Sequence, residues 1–428
     1  MKPTFSGGHA FRGLSLGATV VCGLSLLAGA IVSHGMDPRD PRYGGANPTL
    51  IVTSARDAGP GTLRDAIFAA DRLSSRCHIL IKVPRIVIES ALPALINPRG
   101  IEIEAMGEAG TIDADRQEQG PALEVKSPGS LLTGLQILHA HGYGILVDAP
   151  AAELVSITVG DSKVGIMLAA GASGAIIRTS ILEHDETGLM AEPAVRHVTL
   201  ASDIFRLNTR AGLWFVGAAS PHRGAGAGDP AGADPLIRVL DTVFERNATG
   251  VVLANEAALL AKDRFIANQA AVSVLGGAAR IANCEIRGSA ADAVSVSSGR
   301  SVVLTHNLFV DNAATAVIVR DSDIRIEANT FTRNGVGLVM IGGRGAFTPA
   351  VTDNQITQSR GDGIMLVGGA LRLTGNRLLE NHGAGLRPLD LVEGRDETKA
   401  DPRLDRNVFR ANTPDVAPTA IYRLSGAS

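Results

Sequence analysis

Large apolar residues recur along most of this chain at intervals of about 20 to 25 residues, with longer intervals after Phe205 and after Leu378. A short signature recurs with them: Asn or Asp, any residue, the large apolar residue, a few polar residues, often Asn, then glycine and an alternating apolar run. These marker residues are Ile137, Ile157, Ile181, Phe205, Phe244, Phe265, Ile286, Phe309, Phe331, Ile356, Leu378 and Phe409. A period that tolerates insertions predicts a solenoid, in which each unit buries its apolar face by stacking on its neighbours.

The apolar runs within each unit alternate with a period of two. In Ile166-Met167-Leu168 and Ile364-Met365-Leu366 the first and third residues share a face, which indicates strands. Helical repeats need roughly 33 to 47 residues, and leucine-rich repeats need a leucine consensus that is missing here. The repeat region is therefore predicted to be all-β, with three short strands and three bends in each unit.

Two columns of asparagine accompany the markers. One column lies two positions before them, at Asn307, Asn329, Asn354, Asn376 and Asn407, and the other three positions after them, at Asn208, Asn247, Asn268, Asn312, Asn334, Asn381 and Asn412. Asn tolerates left-handed backbone and its amide can bond along a stack, so both columns are predicted to be structural ladders. We expect a further column to mark the bend that opens the next strand. It consists of Gly144, Gly165, Gly188, Gly212, Gly250, Gly337, Gly363 and Gly385.

Composition narrows the class of protein. Aromatic residues make up 4% of the chain and glycine 49 of its 428 residues, which suits a thin coil filled with aliphatic side chains. A net charge of −3 offers no large basic footprint for nucleic acid. The unbroken repeat favours one domain, with coils over residues 129–390.

The N-terminus has the pattern of an export signal. Lys2 and Arg12 precede an uncharged stretch over 14–32, and Ala28-Gly29-Ala30 fits a signal peptidase site. Residues 1–32 are thus a signal peptide or, if uncleaved, a signal anchor that could span a bilayer. Either predicts an exported protein that is periplasmic, bound to the cell envelope or secreted. A linker rich in Pro, Gly and Asp follows over 33–49.

Two cysteines lie beyond this leader, and we expect no disulfide between them. Cys77 and Cys284 would be about seven coils apart, which is about 30 Å at about 4.8 Å per coil. A disulfide needs Cα atoms about 4.4 to 6.8 Å apart.

Residues 50–128 are predicted to hold a capping helix and the first coils. Thr62 and Asp65 can cap a helix start, and Leu63, Ala66, Ile67, Ala70 and Leu73 form one apolar face at helical spacing. Such a helix would close the open end of the first coil.

Val52-Thr53-Ser54, Asp57, Gly59-Pro60-Gly61-Thr62-Leu63-Arg64 and Ala66-Ile67, followed by strands near 79–83 and 86–88, resemble the N-terminal cap of the pectate lyase-like parallel β-helix superfamily. The later units resemble its generic repeats. The resemblance implies an all-β, right-handed parallel β-helix of about 11–12 coils with a short N-terminal capping α-helix. Members of this superfamily include polysaccharide lyases, hydrolases, epimerases, tailspikes and non-catalytic adhesins, so it does not choose a reaction.

The calcium chemistry of pectate lyases has no clear counterpart here. Those enzymes carry aspartates and a basic residue on the outer face of one sheet. The matching outward positions here are mostly apolar: Leu146, Met167, Met190, Trp214, Val252, Ser273, Ser295, Ile318, Val339, Met365 and Arg387. The Asp-Pro-His-Asp motif of alginate epimerases is absent, and the run over 183–186 (Glu-His-Asp-Glu) is similar only in composition. We predict no cofactor; calcium is the one alternative, and it lacks a clear ligand set.

Charge is concentrated in one bend of the first coils. Four residues after the marker the column reads His141, Asp161, Asp185 and Thr209, and it then loses its charge. Residues on adjacent coils lie about 4.8 Å apart, so three of these side chains could meet at one ligand. We expect Asp161, Asp185 and His141 to be catalytic, because close carboxylates hold their pKa values apart and an imidazole can transfer protons near neutral pH.

Residues beside this column are expected to bind substrate: Tyr143, Lys163, His184, Glu186, Arg210 and Trp214. The alternative is that these charges are solvent-facing pairs on neighbouring coils, which stabilise little. A Gly- and Pro-rich insertion over 217–235 lies beside Trp214, and insertions of this kind often carry binding loops. Its alternative is an unstructured insertion that partly covers the Trp. Residues 391–428 are expected to form a C-terminal cap or tail.

Two functions follow from these features. The first is an exported lyase, hydrolase or epimerase that acts on an acidic polysaccharide by carboxylate and His acid-base chemistry. The second is a non-catalytic envelope protein that binds glycan or protein through its surface. An acidic polysaccharide is the favoured partner, nucleic acid is excluded by charge, and membrane contact would come only from an uncleaved N-terminal anchor. Both an enzyme and a binding protein are consistent with the sequence.

Overall fold

The computed structural model describes residues 47–107, 109–217, 236–342, 348–393 and 396–423. The predicted leader, nearly all of the linker and all but Gly217 of the predicted insertion lie outside the described residues. Within the described residues the chain forms three sheets and one helix.

Each turn of the chain adds one short strand to each sheet. Sheet 1 contains β1 (Thr49–Val52), β2 (Cys77–Ile81), β4 (Ile101–Ala105), β7 (Leu131–Thr133), β10 (Glu153–Val155), β13 (Ile176–Arg178), β16 (Val198–Ala201), β19 (Ile237–Leu240), β22 (Ala257–Ala261), β25 (Ala278–Ala282), β28 (Val302–Thr305), β31 (Ile324–Glu327), β34 (Ala350–Thr352), β37 (Gly369–Thr374) and β41 (Ala400–Asp405). Sheet 2 contains β3 (Arg85–Val87), β5 (Thr111–Asp113), β8 (Gln136–Leu138), β11 (Thr158–Gly160), β14 (Ile181–Glu183), β17 (Ile204–Arg206), β20 (Val243–Glu245), β23 (Arg264–Ile266), β26 (Glu285–Arg287), β29 (Leu308–Val310), β32 (Thr330–Thr332), β35 (Gln355–Thr357), β38 (Arg377–Leu379) and β42 (Val408–Arg410). Sheet 3 contains β6 (Leu123–Val125), β9 (Tyr143–Val147), β12 (Val164–Leu168), β15 (Thr187–Ala191), β18 (Ala211–Val216), β21 (Thr249–Ala254), β24 (Ala270–Leu275), β27 (Val294–Ser297), β30 (Thr315–Arg320), β33 (Val336–Ile341), β36 (Ile364–Val367), β39 (Leu386–Glu393), β40 (Asp396–Thr398) and β43 (Ala420–Arg423).

Neighbouring strands pair in parallel, apart from the antiparallel pair of β39 and β40. Their inward residues fill a continuous apolar core that runs from Val52 to Leu386. The all-β coil predicted from the period-2 runs is therefore confirmed. The region after residue 391 does not stop the coil, since β41 and β42 extend sheets 1 and 2 by a further strand each.

The central residues of the sheet 2 strands are the marker column, with two corrections. In register with Ile137 lies Val159, followed by Leu182 and Phe205. The markers Ile157 and Ile181 assigned from sequence are thus shifted by two residues and one residue. Sheet 2 also has 14 strands, because Ile86 and Ile112 precede the first marker found in the sequence.

The asparagine columns are structural ladders, as predicted. Asn208 donates from its backbone N–H and from Nδ2 to Oδ1 of Asn247, at 3.1 and 2.9 Å, and Asn247 repeats both bonds to Asn268. The second ladder links Asn307 to Asn329 and onward in the same way. Each rung satisfies backbone groups that the bend leaves without strand partners.

The glycine column opens the strands of sheet 3, as predicted. Glycine is required there for a steric reason and not for a left-handed backbone. None of these glycines has a positive φ; the left-handed residue of the bend is an earlier one, such as His139, Asp161 or His184. A Cβ on Gly188 would lie 2.7 Å from the carbonyl oxygen of Gly212 and 2.9 Å from Phe205. Glycine is needed because adjacent coils approach closely there.

The predicted N-terminal helix is α1, Leu63–Asp71. The side chain of Thr62 accepts a hydrogen bond from the backbone N–H of Asp65 at 3.2 Å, as an N-cap does. Its buried residues, Leu63, Ala66, Ile67 and Ala70, join the apolar core. The helix packs on β1 and β2, the first strands of sheet 1.

Cys77 and Cys284 are both buried and free, so the expectation of no disulfide between them holds. No helix among the described residues is long and apolar enough to cross a membrane.

Candidate functional site

A surface cavity of about 390 Å³ lies where sheet 3 begins, in the early coils. Its polar lining comes from the bends between sheets 2 and 3 and from the first strands of sheet 3: His141, Tyr143, Lys163, Glu186 and Arg210. Five of the nine side chains that the sequence assigned to a site therefore meet at one cavity.

The floor of the cavity is apolar. Leu146 and Met190 face outward from β9 and β15 and line it, and Met167 lies between them in the register. The next outward residue of sheet 3 is Trp214. The whole outward stripe predicted from the sequence, from Leu146 to Arg387, is in register as predicted.

Arg210 connects the polar rim to the Trp. Its guanidinium lies 4.1 Å from the centroid of the Trp214 ring, in a cation–π contact. It also lies 3.5 Å from the carboxylate of Glu186. Both members of this ion pair are about half exposed, so the pair holds the rim in place with little net stability.

His141 is held on the opposite wall. Its Nε2 lies 3.1 Å from the backbone carbonyl of Asp115, which belongs to the preceding coil. Gly120 and Pro121 complete this wall. Sequence analysis missed these residues because their coil precedes the first marker. The inward residue of this coil on sheet 2, Ile112, is the apolar position that could have revealed it.

Asp185 does not lie in the cavity lining, and it is fully buried. Its Oδ1 accepts from the backbone N–H of Ser162 at 2.8 Å, and its own N–H donates to Oδ1 of Asn208 at 3.0 Å. It therefore occupies a rung of the asparagine ladder. Burial raises the pKa of Asp185 to about 9, with smaller contributions from the nearby charges of Asp161 and Glu183.

Asp161 and His184 also lie apart from the cavity lining. They are exposed residues of the left-handed bend position, with φ of 54° and 59°, and they follow the paired residues Gly160 and Glu183. The sequence column that joined His141, Asp161 and Asp185 thus combined three different bend positions. The cause is the shifted markers: measured from Val159 and Leu182, the residues at the position of His141 are Lys163 and Glu186.

One group of side chains in the described residues could hold a metal ion. His78, Glu102 and Glu104 place ligand atoms within 4.8 Å of one another on the outward face of β2 and β4. None of them lines the cavity. The cavity itself offers one carboxylate, which is a poor ligand set for calcium.

A family model described as a right-handed beta helix region matches residues 270–391. The parallel register of the three sheets agrees with it. This protein is a right-handed parallel β-helix. The right-handed parallel β-helix fold expected from the N-terminal cap and the repeats is confirmed. No curated protein sequence matches the chain.

Solved structures similar to this β-helix include two from bacteria and one from a phage. The catalytic unit of a GH87 α-1,3-glucanase from Streptomyces thermodiastaticus strain HF3-3 has a TM-score of 0.51 at 11% identity, covering 87% of this chain and 70% of its own. The A-module of an Azotobacter vinelandii mannuronan C-5 epimerase has a TM-score of 0.45 at 12% identity, covering 88% and 99%. A tailspike protein of Acinetobacter baumannii bacteriophage Fri1, a capsular polysaccharide depolymerase, has a TM-score of 0.45 at 12% identity, covering 72% and 62%. Likenesses at this identity concern the fold alone.

Proposed function

We propose that the cavity at the start of sheet 3 binds an acidic polysaccharide. The observation that supports this proposal is the meeting of two cations, an imidazole and a phenol above an apolar floor that continues to Trp214. Sugar rings combine apolar faces with polar edges, and a uronic acid adds a carboxylate. The cavity supplies a partner for each.

The cations are suited to a carboxylate. Lys163 is an exposed ammonium, and Arg210 presents a planar guanidinium fixed by stacking on Trp214. A guanidinium can hold a carboxylate with two parallel hydrogen bonds. The contact of Arg210 with Glu186, at 3.5 Å, is loose enough for a substrate carboxylate to replace it.

The reaction best supported by these residues is proton abstraction next to a uronate carboxylate, as in a lyase or an epimerase. Cations that neutralise the carboxylate make the neighbouring C5 proton more acidic. His141 and Tyr143 both line the cavity, and in this proposal one takes the C5 proton. The other returns a proton to C5 in an epimerase, or protonates the leaving O4 in a lyase as the C4–O4 bond breaks. A hydrolase has less support, because it needs a pair of carboxyl groups about 5 to 10 Å apart, and among the described lining residues Glu186 is the one carboxylate.

The alternative is a non-catalytic β-helix that binds through its apolar stripe. Against this alternative, several side chains of the stripe are nearly buried. Met167, Val252 and Ile318 are 7%, 6% and 7% exposed. A surface of this kind offers a partner little apolar area. The cavity is therefore preferred to the stripe as the binding surface. Export to the periplasm, envelope or exterior, suggested by the leader, belongs to the same proposal.

The test uses polyuronates, with a neutral glucan as the comparison. Binding is measured by calorimetry, and turnover by unsaturated-product absorbance and reducing ends followed together. The double variant Lys163→Ala/Arg210→Ala should lose most of its binding, while Lys262→Ala, an exposed cation on a different bend, should keep it. Equal binding by both variants would rule out the cavity. Binding without turnover on any polymer would favour the non-catalytic alternative.

A further inference from the structure

A column of arginines lies on the outward face of sheet 1, away from the cavity. Arg238, Arg280, Arg325, Arg372 and Arg403 occupy the same register position on β19, β25, β31, β37 and β41. All five are exposed. We call this set the arginine column.

The spacing of the column is regular. Neighbouring strands lie about 4.8 Å apart, so arginines on alternate strands from Arg238 to Arg372 are about 10 Å apart. The strands between them place apolar residues at this position: Leu259, Val303 and Ala350. A linear chain lying along the stack of coils would therefore meet one guanidinium on every second coil.

Other arginines of the β-helix are neutralised by glutamates on adjacent strands. In sheet 2, Arg206 bonds to Glu183, and Arg264 lies 3.6 Å from Glu285. Earlier in sheet 1, Arg178 lies 2.7 Å from Glu153. In each of these three pairs, a glutamate on an adjacent strand lies beside an outward arginine.

Two members of the arginine column depart from that arrangement. Arg280 and Arg372 form no ion pair within the described part of the chain. Their neighbours in register are Leu259, Val303 and Ala350, apart from Arg403 beside Arg372. Carboxylates are present on this face near two members, since Arg403 contacts Asp401 at 3.3 Å and Glu327 follows Arg325 on the same strand. Two cations nevertheless project without a carboxylate, which adds nothing to folding stability and suits an anionic ligand.

We propose that the arginine column is a second binding surface, which holds a linear polysaccharide bearing carboxylates along the axis of the coils. Each guanidinium can hold a carboxylate with two hydrogen bonds. The small residues beside the column, Ala261, Ala282 and Thr305, leave the arginine heads accessible to an extended chain. This surface is separate from the cavity, so either can fail without the other.

Nucleic acid fits this surface less well. Each strand of a duplex carries a phosphate about every 3.4 Å, which is far denser than one cation every 10 Å or so. Single strands are usually bound with aromatic stacking platforms. The described outward positions of sheet 1 from Arg238 to Asp405 carry no aromatic residue, and the chain has a net charge of −3.

The experiment compares two triple variants with the same change of charge. Arg280→Gln/Arg325→Gln/Arg372→Gln removes the centre of the column, and Arg178→Gln/Arg206→Gln/Arg333→Gln removes three ion-paired arginines elsewhere. Binding to a polyuronate is measured at low and high salt, with a neutral glucan and single- and double-stranded DNA as comparisons. Circular dichroism and thermal melting check the fold, and the single variants Arg280→Gln and Arg372→Gln serve if the triple variant unfolds.

We expect the column variant to bind polyuronate roughly tenfold more weakly at low salt and to lose much of the salt dependence. The control variant should bind like the wild type. Unchanged binding by the column variant, an equal loss in the control, or tighter binding of DNA than of polyuronate would each overturn the proposal. If only the Lys163→Ala/Arg210→Ala variant loses binding, the column is refuted and the cavity stands; the opposite result refutes the cavity alone.

Discussion

The backbone N–H of Asp185 donates to Oδ1 of Asn208 at 3.0 Å, which places a carboxyl group directly next to an amide in one buried ladder. The other carboxyl oxygen, Oδ2, is buried without a hydrogen-bond partner. On the next coil, Nδ2 of Asn208 donates to the carbonyl of Leu182 at 3.1 Å. An asparagine at position 185 would bring the same donor to the carbonyl of Val159, which pairs with Leu182.

Asp185→Asn should therefore stabilise the β-helix, by about 1 to 3 kcal/mol near neutral pH, because it gives a buried unpartnered site a bonded amide. It should leave polysaccharide binding unchanged, since Asp185 does not line the cavity. Chemical denaturation measures the first effect and calorimetry the second. A loss of binding or turnover in a folded variant would show that Asp185 belongs to the functional site.

The pH dependence of stability follows from the same burial. The pKa values of Asp185, Asp203 and Asp263 are raised to about 9, about 7 and about 8, mainly by burial, from an ordinary 3.8. The folded protein then holds protons that the unfolded chain releases, so the free energy of unfolding should fall as pH rises from about 4 to about 9. Thermal melting across this range checks the sign, and Asp185→Asn should flatten the curve at its upper end. Constant stability from pH 4 to 9 would contradict the burial of these three carboxyl groups.

Asp203 provides a matched contrast to Asp185. Its Oδ1 accepts from the backbone N–H of Ser180 at 2.8 Å, and its Oδ2 accepts from that of Ala201 at 3.0 Å. An asparagine would point an amide donor at one of these N–H donors. Asp203→Asn should thus destabilise the fold by about 1 to 3 kcal/mol, where Asp185→Asn stabilises it. Equal effects of the two substitutions in denaturation experiments would show that burial alone, and not the hydrogen-bond partners, determines the change in the free energy of unfolding.

The ladders and the outward stripe were predictable from the sequence, whereas half of the candidate site was not. Asn208 and its partners recur at a fixed distance from large markers, and the outward residues of sheet 3 follow from alternation once the glycine is located. Near Val159 and Leu182, however, the adjacent isoleucines are as large as or larger than the true inward residues, and Ile157 is itself buried. A shift of one or two residues changes which bend position a polar side chain occupies. That shift grouped Asp161 and Asp185 with His141.

The stacked phenylalanines are expected to carry much of the stability of the middle coils. Phe244 stacks between Phe205 and Phe265, with ring centroids at 5.1 and 4.9 Å, and all three are fully buried. Phe244→Ala should cost about 3 to 5 kcal/mol, because it leaves a cavity that two rigid coils cannot close. Phe244→Leu should cost less, and Phe68→Ala, at an exposed position of α1, should cost little. Denaturant midpoints measure all three variants.

The single tryptophan offers a direct report on the cavity. Arg210 lies over the ring of Trp214 and beside Glu186, so a bound carboxylate that attracts the guanidinium should change the surroundings of the indole. Polyuronate should therefore change the tryptophan fluorescence in a saturable way, and Arg210→Gln should remove most of that change. Lys262→Ala serves as the control and should respond like the wild type. An identical response to a neutral glucan, or an undiminished response in Arg210→Gln, would mean that the carboxylate is not held by Arg210. In that case Lys163 alone would have to hold it, which the single variant Lys163→Ala tests by the same titration.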